Sequence, residues 1–278
     1  MKLAILAPIH TYPDGNANKF ALHVAAAARH LEADVHALVL NSDFPRVSSA
    51  LGNMLMDVPA LIGGVKAKCR ERGLAVIQAM ETEITQLGIP LRTTQVECFP
   101  GAAGEVVSGF ARYHDLVLIG IGASDVTPQA TAEAAIFGSG RPILLVPEEA
   151  PPATFGHVMI AWDGSRVAAR AVSDARDFLQ RAQTVTIASV TDEKALSDKN
   201  LGIRLAEYLS RHDIQATVAK VQGRGRPIAE TVQEHAREIG AGMLVMGGFG
   251  HSRMRDFVLG GATSGILKDL RLPVLLSH

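Results

Sequence analysis

The feature that most constrains the fold is a strand–helix pattern that occurs twice, once in each half of the chain. Short apolar runs alternate with segments of helical periodicity, an order that predicts parallel strands joined by helices. The ends of the two copies match closely: residues 115–120 (DLVLIG) parallel residues 242–247 (GMLVMG), and residues 141–146 (RPILLV) parallel residues 272–277 (LPVLLS). Two tandem copies of one domain therefore fit the 278 residues better than one large domain.

A short linker is predicted between the two copies. Residues 148–153 (EEAPPA) combine adjacent prolines with two acids. We predict a first domain at residues 1–150 and a second at residues 151–278. Each is predicted to be an α/β domain with a doubly wound sheet of the nucleotide-binding type and helices on both faces. Apolar periodicity predicts helices at residues 19–31, 60–87 (with or without a break near Gly73), 100–113, 130–137, 166–181, 195–212, 227–239 and 264–270.

Composition narrows the class of partner and the compartment. The net charge is −1 without long runs of one sign, which argues against nucleic acid, because phosphate backbones are bound through basic patches. Hydrophobic residues make up 47% of the chain, yet no apolar stretch reaches the roughly 20 residues that span a bilayer, so no membrane partner is expected. Cys69 and Cys98 are the only cysteines, which favours a reducing, cytoplasmic location.

A glycine-rich connection in the second copy is the strongest candidate for a ligand site. The apolar run at 243–246 predicts a buried strand, and a predicted helix follows the connection. Two glycine clusters lie between them, Gly247 with Gly250 and Gly260 with Gly261. Small residues let the backbone approach an anion, and a helix N-terminus offers free N–H groups and a positive dipole end. The pair of clusters predicts a phosphate site, whereas one cluster alone would indicate only a turn.

The chain resembles the universal stress protein family, in its tandem two-domain form, over nearly its whole length. The resemblance rests on residues 160–165 (IAWDGS) after the first strand of the second copy, and on Gly247-x-x-Gly250 followed, after nine residues, by Gly260. In the ATP-binding branch of the family, that last glycine is followed by Ser or Thr. Gly261 stands there in this chain. One hydroxyl donor is therefore missing, and because a hydrogen bond to a charged group is worth about 1.5–3 kcal/mol, we expect an affinity about tenfold lower or more.

The resemblance implies both the sheet order and the ligand. Each copy would have an open five-stranded parallel sheet of order 3-2-1-4-5, with the ligand at the carboxyl ends of strands 1 and 4, where the order reverses. The ligand of the second copy would be ATP, with or without Mg²⁺. Asp163 would meet its adenine or ribose side, Val190 would pack on the base, and the glycine clusters would hold the phosphates. The residues implied are Ala161, Asp163, Val190, Met246, Gly247, Gly250, Gly260, Gly261, Ala262 and Thr263.

The polar residues of this set also have structural interpretations. Asp163 is as typical of a turn or a helix cap as of a ligand contact. Thr263 either donates its hydroxyl to a phosphate or marks the start of a helix. In the loop between the glycine clusters, Arg253 fits a phosphate contact and a solvated loop equally well, whereas His251 and Arg255 favour the loop.

The first copy departs from this pattern and is predicted not to bind ATP in the same way. His10 stands where the second copy has Asp163, and Ala130 stands where it has Gly261. A helix start without glycines is a poor approach for a polyphosphate. We expect this copy to act as a pseudo-symmetric partner of the second, or to bind another ligand near His10, Ser124 and Asp125.

The association of the two copies follows from the same resemblance. Family members commonly pair through their last strands, which predicts that residues 143–146 and 274–277 pair within this chain as an intramolecular pseudo-dimer. A homodimer of two chains is a further expectation. The physiological protein partner is not predicted.

The sequence points to binding rather than to catalysis. Neither a Gly-x4-Gly-Lys-Ser/Thr loop nor a complete Gly-x-Gly-x-x-Gly fingerprint occurs, and the ten histidines lack metal-ligand spacing. We therefore predict no catalytic residues and no metal ligands. The favoured function is a stress-response regulatory protein that binds adenine nucleotide. The alternatives are a slow ATP-hydrolysing or adenylating enzyme of the adenine nucleotide α-hydrolase type, and a ligand-free scaffold.

Overall fold

The chain folds as two successive series of alternating strands and helices, here called the first and second halves. A computed structural model describes residues 2–44, 58–122, 126–152, 154–192, 200–250 and 261–278. The first half contains β1 (Ala4–His10), α1 (Phe20–Leu31), β2 (Asp34–Ser42), α2 (Val58–Thr85), β3 (Leu91–Cys98), α3 (Ala103–Ala111), β4 (Leu116–Ile121), α4 (Val126–Gly138) and β5 (Ile143–Pro147). The second half contains β6 (His157–Ala161), α5 (Arg166–Asp174), α6 (Arg176–Arg181), β7 (Thr184–Val190), α7 (Leu201–Ser210), β8 (Ala216–Val221), α8 (Ile228–Glu238), β9 (Met243–Gly247), α9 (Gly261–Lys268) and β10 (Val274–Ser277).

The strands form one ten-stranded sheet of order β3-β2-β1-β4-β5-β10-β9-β6-β7-β8. Each half contributes five parallel strands in the order 3-2-1-4-5, as predicted. The halves meet through β5 and β10, which pair antiparallel with Leu275 opposite Leu144. The predicted pairing of the last strands is therefore confirmed. The predicted domain boundary at residue 150 stays a prediction.

The apolar pattern of the strands explains their places in the sheet. β1 and β4 are nearly continuous apolar runs with buried side chains on both faces, as expected of parallel strands that helices cover on each side. β3, at one edge, alternates between exposed and partly buried side chains. Each face of the sheet carries one apolar layer, and both layers contain side chains from both halves. On each face of the sheet, the two halves therefore share one apolar layer.

Two helices near the carboxyl edge of the sheet begin earlier than the sequence predicted. α4 begins at Val126 rather than at Ala130, and α9 begins at Gly261 rather than at Ser264. Pro128 lies in the first turn of α4, where a missing backbone N–H costs nothing because no helical partner exists for it. A sequence pattern with proline and glycine underestimates such helices, since both residues are compatible with a first turn.

Other helices also differ from the prediction. α2 is one unbroken helix, and Gly73 packs on β2, where an added Cβ would lie 2.8 Å from Val39 Cγ1. The segment predicted as one helix at 166–181 divides into α5 and α6 at Ala175. A 3₁₀ turn at Pro100–Ala102 precedes α3. Of the helices within the described ranges, none is both long and apolar enough to cross a membrane.

Candidate functional site

A cavity of about 480 Å³ lies at the carboxyl ends of β6, β7 and β9. The sheet order reverses between β6 and β9, because the chain continues from β6 to β7 on one side and returns to β9 on the other. At such a reversal the connections leave on opposite sides and the loops separate, so a crevice forms outside the strand ends. The volume of the cavity is within the range of small-molecule sites, about 300–1,000 Å³.

The cavity brings most of the predicted site residues together. The strand ends supply Ala161, Val190, Met246 and Gly247, and the turn after β6 supplies Asp163. The remaining lining residues of the predicted set are Gly250, Gly261, Ala262 and Thr263. Gly260, the tenth predicted residue, lies outside the described residues, and so do His251, Arg253 and Arg255.

Asp163 forms a turn at the start of α5 and does not cap the helix. Its Oδ1 accepts the N–H of Ser165 at 2.9 Å, and Gly164 between them has a φ of 75°, which only glycine adopts freely. Ser165 is the cap, since its hydroxyl oxygen accepts the N–H of Ala168 at 3.2 Å. Among the described residues, no group donates to Oδ2 of Asp163, so this exposed oxygen is available to a ligand.

The start of α9 provides backbone N–H groups at the cavity. Gly261 is the first described residue of the helix, so its N–H and those of the next residues have no helical acceptor among the residues that the structure describes. Thr263, only 3% exposed, lies in this first turn, and its hydroxyl oxygen accepts the N–H of Phe249 at 3.0 Å. The hydroxyl of Thr263 therefore joins the turn after β9 to the start of α9. The sequence left open whether Thr263 has such a structural role.

Close packing on α5 explains two glycines that the sequence pattern associates with phosphate. A Cβ at Gly247 would lie 2.6 Å from the backbone nitrogen of Ala168 and 2.7 Å from the carbonyl carbon of Val167. A Cβ at Gly250 would lie 2.6 Å from Cγ2 of Val167. Position 247 therefore requires glycine in the absence of any ligand, whereas a side chain at position 250 would have to displace that of Val167. Gly261 differs, because nothing lies within 4 Å of the position that its Cβ would take.

Several residues of the cavity were missed at the sequence level. They are Trp162, Ser165, Val167, Ala168, Ala188, Pro227, Ile228, Val232 and Phe249. Trp162 and Ser165 were within reach of sequence reasoning, since they flank Asp163. Pro227 immediately precedes the first residue of α8, and no sequence motif marks it as part of a site.

The loop before α8 is fixed by a carboxylate from the end of β7. Asp192 accepts the N–H groups of Gly223 at 2.6 Å and Arg224 at 2.8 Å. The N–H groups of Arg224 and Gly223 stabilise the ionised carboxylate and lower the pKa of Asp192 below its usual value. The two hydrogen bonds to Asp192 hold the segment that leads to Pro227 and Ile228, which line the cavity wall.

The electrostatics of the cavity favour a ligand that has an apolar ring and an anionic group. Within the described part of the chain, Asp163 is the one charged side chain that lines it, and most of the wall is aliphatic or aromatic. The N-terminus of α9 carries the partial positive charge of the helix dipole. An anionic group is therefore stabilised at α9, and an apolar ring at the β7 side near Val190.

In the first half, a buried histidine fills the position that corresponds to Asp163 at the cavity of the second half. The sheet register aligns Ile5 with Val158, so His10 is equivalent to Asp163, as predicted. His10 is 2% exposed, and its Nε2 lies 3.0 Å from Oγ1 of Thr131 in α4. Burial lowers the pKa of His10 to about 4, so the ring is neutral at pH 7. Within the described ranges, Nδ1 of His10 has no hydrogen-bond partner.

A buried carboxylate completes this closure of the first half. Glu148, which follows β5, is 4% exposed and accepts the N–H of Ala17 at 2.8 Å and a bond from the amide of Asn16. A Cβ at Gly120, the equivalent of Gly247, would lie 2.1 Å from Oε1 of Glu148. The chain's own groups therefore occupy this end of the first half. Ser124 and Asp125, named above for a ligand here, lie outside the described residues.

The fold and the cavity together define a class of protein: a tandem, doubly wound α/β protein with a ligand-sized cavity at the switch point of its second half. Residues 154–278 match the model of the universal stress protein family, so this half of the chain belongs to that family, as the sequence resemblance predicted.

Solved structures extend the likeness to the whole chain. A universal stress protein from Archaeoglobus fulgidus DSM 4304 is 18% identical, with a TM-score of 0.70 over 99% of this chain and 97% of that one. A putative universal stress protein from Pseudomonas aeruginosa UCBPP-PA14 is 17% identical, with a TM-score of 0.56 over 99% and 93%. At these identities the likeness establishes a shared tandem fold. No curated protein is detectably similar in sequence.

Proposed function

We propose that the second half binds ATP in the cavity at the ends of β6, β7 and β9, and that the protein acts as a nucleotide-dependent regulator in a stress response. The observation that carries the proposal is the convergence of nine of the ten predicted residues on one cavity of about 480 Å³. Membership of residues 154–278 in the universal stress protein family supports it.

The chemistry of the walls supports an orientation for the nucleotide. The base would lie against Val190 and Ile228, where the wall is apolar. Oδ2 of Asp163 would accept a hydrogen bond from the ribose or from the adenine amino group. The phosphates would lie at the start of α9, where N–H groups without helical acceptors and the helix dipole favour negative charge.

A Mg²⁺ ion would be held mainly by the nucleotide. Among the described lining residues, Asp163 is the one carboxylate, and no group of three or more His, Cys, Asp or Glu side chains in the described ranges is arranged to hold a metal. Mg²⁺ prefers six oxygen ligands and retains several waters. The phosphate oxygens and water would therefore supply most of its ligands.

Trp162, the only tryptophan of the chain, gives a direct assay because it lines the cavity. We expect saturable quenching or enhancement of its fluorescence on titration with ATP, with weaker responses to GTP and CTP. Native mass spectrometry of freshly purified protein then separates the alternatives. Co-purified ATP supports the proposal, AMP with turnover indicates the hydrolase alternative, and an empty protein without a fluorescence response indicates a scaffold.

Replacement of Asp163 by alanine tests its contact with the ligand. We expect the ATP affinity to fall about tenfold or more, because a hydrogen bond to a charged group is lost. Asp177→Ala, which removes an exposed carboxylate from α6 outside the cavity, is the matched control and should bind as the wild type does. Equal affinities in Asp163→Ala and the wild type would contradict the assignment. A bulky residue at Gly250 is a poorer test, since it also displaces Val167.

A gain-of-function variant tests the phosphate end of the site. Gly261→Ser introduces the hydroxyl that the family pattern has at this position, and the space around its Cβ is open. We expect the affinity for ATP to rise about tenfold, with a smaller gain for adenosine, which has no phosphate. Gly261→Ala is the control, because it adds the same Cβ without a donor. Equal gains for ATP and adenosine would show that the hydroxyl does not meet phosphate.

The compartment and the oligomeric state belong to the same proposal. Cys69 and Cys98 are both free thiols, which fits a reducing compartment such as the cytoplasm. The native mass spectra also report the number of chains per particle, and a dimeric mass is the result that the homodimer hypothesis requires.

A further inference from the structure

The turn that follows β9 is held from several sides. Phe249 has a φ of 53°, a backbone conformation that residues with a Cβ rarely adopt, so it persists only when its surroundings hold it. Its N–H donates to Thr263. Gly248 donates its N–H to the carbonyl of Ser277 at 2.8 Å and accepts a bond from Nδ1 of His278 at 3.1 Å. These contacts all come from the second half.

One side of this turn is covered by the first half. The ring of Phe137, near the end of α4, packs against the ring of Phe249 with centroids 4.7 Å apart and an angle of 38°. Phe137 also contacts the ring of His278 edge-on at 5.0 Å. The Cβ position of Gly248 is 3.7 Å from Cγ2 of Ile136. Phe249, which lines the cavity, is thereby reduced to 9% exposure.

This aromatic contact has no counterpart in the other direction. The register of β4 with β5 and of β9 with β10 makes Gly122 the equivalent of Phe249. Phe137 and Lys268 are equivalent as well, since each lies six residues before the first residue of its last strand, Ile143 or Val274. The pseudo-symmetric pair would thus be a lysine and a glycine, which have no rings. The first half therefore supports the cavity of the second, and not the reverse.

We propose that Phe137 of the first half is a positioning residue for the ligand-binding turn of the second half, residues 247–250. This inference rests on the proposed nucleotide function of the cavity. Phe137 holds the ring of Phe249, which fixes the backbone between Gly247 and Gly250 in the shape that lines the cavity. A rearrangement of α4 in the first half then changes the nucleotide affinity of the second half without any contact between α4 and the nucleotide.

The test uses full-length Phe137→Ala, Phe137→Tyr and the control Tyr113→Ala, which removes an aromatic ring that is 86% exposed. Two quantities are measured: amide hydrogen exchange at Phe249 without nucleotide, and the Kd for ATP from Trp162 fluorescence. In Phe137→Ala we expect exchange at Phe249 to accelerate and the Kd to rise, each by about 2- to 10-fold, the factor that corresponds to one aromatic pair. Phe137→Tyr keeps the ring and should match the wild type.

Any one of three results in Phe137→Ala overturns the proposal. The first is unchanged amide exchange at Phe249, and the second is an unchanged Kd for ATP when the wild type binds ATP. The third is a uniform acceleration of amide exchange that includes Leu244 in the centre of β9. The last result would mean a general loss of stability. If the wild type binds no ATP, the proposed function fails, and the exchange rate of Phe249 relative to Leu244 alone then decides whether Phe137 holds the turn.

Discussion

Lowering the pH from 7 to 5 will destabilise the protein through histidines of the first half. Burial lowers the pKa of His10 to about 4, and burial together with His114 and Arg92 lowers that of His36 to about 4. The unfolded chain, with histidine pKa values near 6.5, binds protons in this range that the folded chain does not. Stability is therefore complete above pH 6.5 and is lost as the pH falls towards 4, by about 2 kcal/mol for each histidine between pH 7 and pH 5.

The hydrogen bonds around His36 fix the tautomer of its neutral ring. Phe110 offers a carbonyl to Nδ1 of His114 at 2.9 Å, so that nitrogen donates and Nε2 of His114 accepts. His36 Nδ1 then donates to Nε2 of His114 at 3.0 Å, and Thr94 donates its hydroxyl to Nε2 of His36 at 2.9 Å. A second proton on His36 would require the hydroxyl of Thr94 to turn away from Nε2, and burial of the ring adds the larger cost, that of a charge in this position.

Urea denaturation at several pH values measures this effect. His36→Gln and His10→Gln keep a donor and an acceptor but cannot titrate. We expect each variant to lose part of its stability at pH 7 through poorer packing. Near pH 5, the unfolding free energy of each variant should depend on pH less steeply than that of the wild type, by about 1.4 kcal/mol per pH unit. Slopes equal to that of the wild type would contradict the prediction, whatever the stability at pH 7.

Replacing Gly247 by alanine will destabilise the second half even without nucleotide. The added Cβ would lie 2.6 Å from the nitrogen of Ala168 and 2.7 Å from the carbonyl carbon of Val167. These are backbone atoms in the first turn of α5, so no side chain can rotate to relieve the contact, and β9 or α5 must move. We expect a loss of about 2–3 kcal/mol of unfolding free energy, the upper part of the range for overpacked sites.

Gly261→Ala is the matched control for this prediction. The same change of residue meets no atom within 4 Å, and it lies in the first turn of α9. Stability should stay constant or rise by up to about 1 kcal/mol, because alanine favours the helix and restricts the unfolded chain. Urea unfolding followed by Trp162 fluorescence compares the two variants. Similar stabilities would mean that β9 and α5 are not packed as described.

Much of the candidate site was predictable because parallel strands bring their carboxyl ends to one edge. Residues at or just after the ends of β6, β7 and β9, such as Asp163 and Val190, therefore converge whatever the detailed packing. The physical reason why a given residue type occupies its position was harder to predict. Gly247 fits a phosphate pattern, yet Val167 and Ala168 already exclude a side chain there. A sequence shows that a Cβ is missing, but not which atom occupies its place.

The sequence by itself determined the repeat and the α/β class, because local periodicity and the apolar ends of each copy are encoded in neighbouring residues. The pairing of the last strands was implied by the family resemblance and not by periodicity, and the structure confirmed it. Only the tertiary structure decided that His10 is buried against Thr131 and that Phe137 packs on Phe249 across the halves. These partners are 121 and 112 positions apart in the chain. Contacts of that kind depend on how the sheet brings distant segments together, and no local pattern carries this information.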